Sequence, residues 1–347
     1  MLLALGGLII PKPETPEPTE QMSTLNGLNL KYSDKSETRY FLKSIINNDG
    51  YLCLGTSEST HLKHGNYQDF LNNDPELTVR FSRLPGSGRT GGVHVPWLLN
   101  QHDLLDSLKF IYLINPVYWR KGLNQISLAY SNRYHNPVTC DIDNETIIDL
   151  EPALYSIRTY LDKLPFIQSV QMHIEYWLRK MRIAFFNDLR IHLGFKAFGE
   201  DFTYISKAKR KLDSYNHFGQ VNTSEVDTVW NALHSYPART SSQEIDESSD
   251  YRYEELKAFI AFCKHTGIDA TFILGPYNER FMTKSRPKSV EPFKETTDRI
   301  RGILDAEGVT YVDATDISNT AGAFNDYQHH SSYGAYLIYQ KLKPLIK

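Results

Sequence analysis

The strongest constraint on how this 347-residue chain folds is a repeated alternation. Short runs rich in β-branched and aromatic residues are each followed by a turn, and most then by a helical pattern. The strand-like runs cover 51–54, 77–82, 109–114, 270–274 and 309–312. Helical spacing is clearest in 253–265, where Leu256, Phe259, Ile260 and Cys263 share one face and Gly267 follows as a C-cap. Segments 38–47, 95–105, 292–306 (closed by Gly308) and 333–345 read the same way. Buried strands that alternate with helices predict an α/β fold, a five-stranded parallel sheet with helices on both faces. Ligands of such sheets bind at the carboxyl ends of strands, near a switch point in strand order. The residues that follow each run therefore bear on function.

The rhythm lapses between 120 and 252. Segments 151–162 and 166–193 look helical, and the polar, serine-rich stretch 239–250 reads as a surface loop. Because the alternation resumes afterwards, 120–252 is expected to be a long helical insertion between strands 3 and 4. It then belongs to one domain over 22–347. Residues 1–10 (MLLALGGLII) are apolar but too few to span a bilayer, which takes about 20. No basic region precedes them, which argues against a standard signal peptide. They are either an element packed on the body or the tail of a membrane anchor that starts upstream. The charged, proline-rich stretch up to residue 21 would serve as a stalk, and it favours the anchor.

Net charge is −3 with neutral histidines, so no broad nucleic-acid-binding face is expected. The basic run 207–211 reads as a solvated helix face. Cys53, Cys140 and Cys263 are far apart, without a C-x-x-C spacing. Cys53 and Cys263 fall at apolar positions and read as small buried hydrophobes.

Chemistry concentrates at two places. The first run ends in Gly55-Thr56-Ser57-Glu58, and Asp326-x-x-His329 precedes the final helix. A serine hydroxyl becomes a useful nucleophile when an imidazole takes its proton, and a carboxylate orients that imidazole. Ser57, His329 and Asp326 would fill these roles. Taken singly, Ser57 and Asp326 also suit helix N-caps, and His329 an ordinary exposed histidine. His330 is the rival base, at a less suitable offset from Asp326. Oxyanion donors would come from the Ser57 N–H, from Gly88 or Gly91 in the loop 86–92, and from the side chain of Asn115. Asn278, after the fourth run, is a further binding candidate. The loop glycines and Asn115 also suit plain turns. His61 and His64 share a helical face, but nothing obvious completes a metal site, and no cofactor is called for. Tyr118 and Trp119 suit either a sugar platform or the core.

The order Ser, Asp, His, with the last two almost adjacent, resembles that of SGNH (GDSL-like) hydrolases. The chain is similar to the D-alanyl transfer protein family, DltD, in several motifs. These are Gly55 to Glu58, the loop 86–92, Asn115-Pro116-Val117-Tyr118-Trp119, Pro276-Tyr277-Asn278, and Asp326 and His329 followed by Ser331 or Ser332 and by Gly334. Thr56, Asn115 and Val117-Tyr118 depart from that family's pattern. The resemblance implies an SGNH-hydrolase-like (flavodoxin-like) sheet and a membrane-anchored catalytic domain on the extracytoplasmic face. It implies a D-alanyl group delivered to a teichoic acid hydroxyl. It also implies two protein partners, a membrane-bound O-acyltransferase (DltB-like) and an acyl carrier protein, with a cell-envelope polyol or glycan as acceptor. An esterase acting on carbohydrate or lipid, or a non-catalytic envelope scaffold, would also fit such a fold.

Overall fold

The computed structural model describes Gln21 and residues 35–55, 66–83, 98, 101–120, 189, 192–193, 250–285, 287–324 and 328–346. Its strands are β1 (Tyr51–Leu54), β2 (Phe81–Arg83), β3 (Lys109–Ile114), β4 (Asp269–Leu274) and β5 (Tyr311–Asp313). Its helices are α1 (Lys35–Ile46), α2 (Tyr67–Asn73), α3 (Asp250–His265), α4 (Glu279–Ser285), α5 (Val290–Ala306) and α6 (Ser332–Leu342). All five strands pair in parallel, in the order β2-β1-β3-β4-β5. That order reverses direction between β1 and β3, as in flavodoxin-like sheets, and so creates a switch point there.

Both faces of the sheet are covered, which is why the strand sequences lack a polar side. Leu52, Leu54, Phe110, Tyr112, Ile114, Phe272 and Leu274 point to one face and pack with residues of α1, α3 and α5. Tyr51, Cys53, Ile111, Leu113, Ile273 and Val312 alternate to the other face and meet α2 and α6. Phe259 of α3 stands edge-on to Tyr112 and Phe272, with ring centroids 5.4 and 6.4 Å away. Cys53 and Cys263 are buried in these layers, as their apolar settings suggest. Burial pushes both thiols up, Cys53 to about 12, so they pack as protonated, inert groups.

Two strands differ from their expected bounds, for local reasons. Over 77–80 the chain is still leaving a turn in which the Leu77 N–H reaches the Asp74 carbonyl at 3.2 Å, and β2 begins only at Phe81. Val309 donates back to the Leu304 carbonyl at 3.3 Å across Gly308, whose φ is +61°, so it closes α5 instead of opening β5. Of the helix expected over 95–105, Leu98 is helical and a 3₁₀ helix follows at His102–Ser107. Helix α2 has no counterpart among the sequence expectations. The proposed insertion lies outside the described residues, apart from Arg120, Leu189, His192, Leu193 and the start of α3. The 1–10 run lies outside them too, and among the described residues no helix is long and apolar enough to cross a membrane. Gln21 is buried, and its amide donates to the Arg80 carbonyl at 3.1 Å and to Ser82 Oγ at 2.9 Å, so this position is tied to β2.

The C-terminus is pinned to α2 through Asp74, whose carboxylate takes the Tyr339 hydroxyl at 2.6 Å and Lys343 Nζ at 2.7 Å. Burial alone would raise this carboxyl. The bonds from Lys343, from Tyr339 and from the Glu76 N–H outweigh burial and hold it below the ordinary 3.8. A carboxylate whose folded pKa is depressed stabilises above its unfolded value, and that contribution is lost as pH falls through the folded one. The urea midpoint is therefore expected to drop below about pH 4. Asp74→Asn should lower the midpoint at neutral pH and flatten the acid arm of the profile. An acid arm of undiminished slope in the variant would remove Asp74 from this account.

Candidate functional site

Strand β1 ends at Leu54 and leads into Gly55, whose φ of +154° suits glycine and few other residues. The chain then enters Thr56 and Ser57, which lie outside the described residues. Beside it, Leu54 is in register with Tyr112, and β3 runs on through Ile114 into Asn115. The carboxyl ends of β1 and β3 thus form one stretch of sheet rim at the switch point.

Asn115 is 1% exposed. An unpaired buried amide costs about 1–3 kcal/mol, so its bonds are informative. Its Oδ1 accepts the Val117 N–H at 2.9 Å, which shapes the turn into the 3₁₀ helix Pro116–Arg120. Its Nδ2 donates to the Gln328 carbonyl at 3.4 Å, across 213 positions of sequence. Folding therefore brings the end of β3 to the residue that precedes His329.

The His329 loop is closed at its base. Phe324 and His330 form an antiparallel bridge with their rings 5.7 Å apart. The Ser331 N–H reaches the Ala323 carbonyl at 2.9 Å, and the Ser331 hydroxyl bonds the Gly322 carbonyl. The same Ser331 Oγ accepts the Gly334 N–H at 3.1 Å, as the N-cap of α6. Consecutive side chains of extended backbone point to opposite sides. His330 is accordingly buried against Phe324, while His329 is half-buried. The Gln328 side chain, also buried, lies 3.3 Å from His329 Nε2 through its own Nε2.

At the end of β4, Gly275 is drawn tightly against β3. Its N–H meets the Ile114 carbonyl at 2.7 Å, and a Cβ there would come within 2.8 Å of that oxygen. The Tyr277 N–H reaches the buried Ser318 Oγ at 3.3 Å. Asn278 Oδ1 accepts the Phe281 N–H at 3.0 Å, so this candidate binding residue caps α4. Trp119 is a core residue, 2% exposed and 5.6 Å from the Tyr253 ring, and Arg299 covers that tyrosine at 3.9 Å. It is no sugar platform.

Of the sequence candidates, Asn115, Asn278 and His329 are described, and Asn115 and the His329 loop meet. Ser57, Asp326, Gly88 and Gly91 lie outside the described residues, as do His61 and His64. Three contributors escaped notice in the sequence: Gln328, Ser318 and the close packing of Gly334. A glutamine immediately before the candidate base was the available signal for the first. Ser331-x-x-Gly334 at a helix start was the signal for the last.

Residues 214–347 match the family model described as DltD protein. The DltD resemblance read from the motifs is borne out over this segment. It carries α3 to α6, β4, β5, Asn278 and the His329 loop, while Ser57, Gly88, Gly91 and Asn115 precede it. No curated protein matches the chain.

Proposed function

We propose that this chain is an extracytoplasmic, membrane-associated acyltransferase of the DltD type, which moves a D-alanyl or other acyl group to a hydroxyl of a cell-envelope polymer. The family match supports a D-alanylation-related role in the cell envelope. The observation that carries the reading is the Asn115–Gln328 bond. It holds the His329 loop at the rim where β1 ends, three residues before Ser57.

In this reading the body of the chain is an SGNH-like catalytic domain. Ser57 Oγ attacks the carbonyl carbon of an acyl donor while its proton passes to His329 Nε2. Asp326 holds the Nδ1 proton and favours the transient imidazolium. Collapse of the tetrahedral intermediate breaks the bond to the donor's thiol or alcohol, which leaves with the proton from His329. The acyl group remains on Ser57 as an ester. The acceptor hydroxyl then attacks that ester, gives its proton to His329 and receives the acyl group, and Ser57 Oγ regains the proton. N–H groups of Ser57 and of Gly88 or Gly91, with the Asn115 amide at the same rim, would face the developing oxyanion. The donor side would involve an acyl carrier protein and a membrane-bound O-acyltransferase. A polyol or glycan would accept the acyl group.

A fluorophosphonate probe is expected to label Ser57 in the full chain, and Ser57→Ala to abolish labelling without loss of fold. Labelling that survives in the alanine variant would reject Ser57 as nucleophile, and an unreactive wild type would favour a scaffold. An acyl donor supplied with and without polyol separates transfer from hydrolysis. Rapid release of free acid with no acceptor product would make the protein an esterase.

A further inference from the structure

We infer that Gln21 is a clasp that fastens the N-terminal segment to the amino-end face of the sheet, so that this face, and not the rim, is turned toward the lipid bilayer. The inference rests on the reading of residues 1–10 as part of a membrane anchor. The seat of Gln21 is built from three separate features. Its amide donates to the Arg80 carbonyl at 3.1 Å and to Ser82 Oγ at 2.9 Å. A carbonyl only accepts, so the amide atom on Arg80 is the nitrogen. Ser82 is fully buried and in register with Leu52, on a sheet face lined largely by apolar side chains. A hydroxyl in such a place needs a partner, and Gln21 supplies it. Gly50 supplies the space. A Cβ on it would fall on the Gln21 amide, with Cδ 2.5 Å away.

Strand direction then fixes which side of the sheet the segment leaves from. Gly50 immediately precedes β1, and Arg80 immediately precedes β2. All five strands are parallel, so the clasp lies at their amino ends and the His329 loop at their carboxyl ends. From Gly50 to Gly55 the sheet is about 17 Å deep, at about 3.3 Å per residue. The ten residues before Gln21, PKPETPEPTE, include four prolines. A proline-rich spacer is semi-rigid and extends about 3.1 Å per residue, here about 31 Å. Rooted on the amino-end face, it holds that face nearer to the bilayer than the rim. Without the clasp, the next tie to the body among the described residues is α1, fourteen residues on at Lys35. The added chain reaches up to about 46 Å, enough to let the rim turn toward the lipid. The clasp thus keeps the rim on the aqueous side, where an acceptor polymer has room to approach.

The test uses the full chain in two arms, with Cys140→Ser as background. In solution, spin labels introduced by Thr19→Cys and Asn47→Cys should give one narrow distance. Gln21→Ala and Gly50→Ala should each broaden the distribution and lengthen its mean. The Cβ added at Gly50 strikes the tip of a side chain and no backbone, so Gly50→Ala should evict Gln21 from a protein that still folds, as its thermal midpoint reports. Should that variant fail to fold, Gln21→Ala decides. In the second arm the chain is placed on phosphatidylcholine vesicles that carry a lipid-bound energy acceptor. A fluorophore at Asn47→Cys, exposed at the amino ends, should be quenched several-fold more than one at Asn319→Cys, exposed beside the rim. The contrast should vanish in Gly50→Ala. A parent distance as broad as that of Gln21→Ala, or one unmoved by Gly50→Ala, would overturn the clasp. Quenching at Asn319 equal to or above that at Asn47 would overturn the orientation. The distance measurement needs no lipid, so it can remove the clasp even where vesicles bind the chain. Failure to bind vesicles overturns the anchor reading, and the orientation with it, even where the distance is narrow.

Discussion

Gly334→Ala is expected to destabilise the protein by about 2–3 kcal/mol and to suppress labelling of Ser57. Gly334 lies buried in the first turn of α6, beneath the Ala323 carbonyl. An added Cβ would fall on that oxygen, with the carbonyl carbon at 3.0 Å and Ala323 Cα at 3.3 Å. All three atoms are backbone, so no rotamer change can relieve the overlap. The same carbonyl accepts the Ser331 N–H at 2.9 Å, and Ser331 Oγ accepts the Gly334 N–H at 3.1 Å. The overlap therefore strikes the joint that closes the His329 loop. Alanine is better than glycine in a helix interior by about 1 kcal/mol, and that gain opposes the loss. The clash should win because the bonds through Ser331 tie the two backbone segments to each other. Urea denaturation gives the stability change, and hydrogen exchange at the Ser331 amide reports the joint itself. A variant as stable as the wild type, with the Ser331 amide equally protected, would show that the loop is not held this way.

Loss of the His329 imidazole should slow the labelling of Ser57 by about 10²–10⁴-fold, the usual span for a general base. The adjacent histidine supplies the control. His330 is 8% exposed, bridged to Phe324 through backbone and tilted against its ring. His330→Phe keeps an aromatic ring in that apolar site and should leave labelling within a few-fold of wild type. His329→Ala and His330→Phe, compared by probe kinetics and by thermal midpoint, separate proton transfer from packing. If the two variants slow equally, or His330→Phe slows more, the base has been assigned to the wrong ring.

The sheet could be read from the sequence because its strands are buried on both faces, and such segments stand out as dense apolar runs. β1 and β3 have their expected bounds, and β4 begins one residue early. The terminal strands were harder because they are short and flanked by turns that borrow their first residues, as Leu77 and Val309 do. Helix α2 was invisible for a different reason. Its seven residues, YQDFLNN, carry too few apolar positions to establish a period, and a capping box at Asn66 and Asp69 fixes its start. Asn115 and Asn278 could be picked out because each follows a strand. The long-range partner of Asn115 could not, since its amide reaches a carbonyl 213 positions away. Motif spacing reveals which residues share a rim, and only tertiary contacts reveal how each amide is used.

Residues Lys109 to Ile114 lie rung for rung beside Asp269 to Leu274, so the middle of the sheet zips together two stretches that synthesis leaves far apart. The entropy lost in closing such an excursion grows only with the logarithm of its length, by about 0.6 kcal/mol per doubling. On this closure term alone, lengthening the polypeptide between these ladders would hardly change the equilibrium. The encounter of the two stretches must still precede their pairing, which makes the central seam slow to form. Thermodynamics thus leaves the fold free to accept new sequence at its centre, and the penalty for doing so is kinetic.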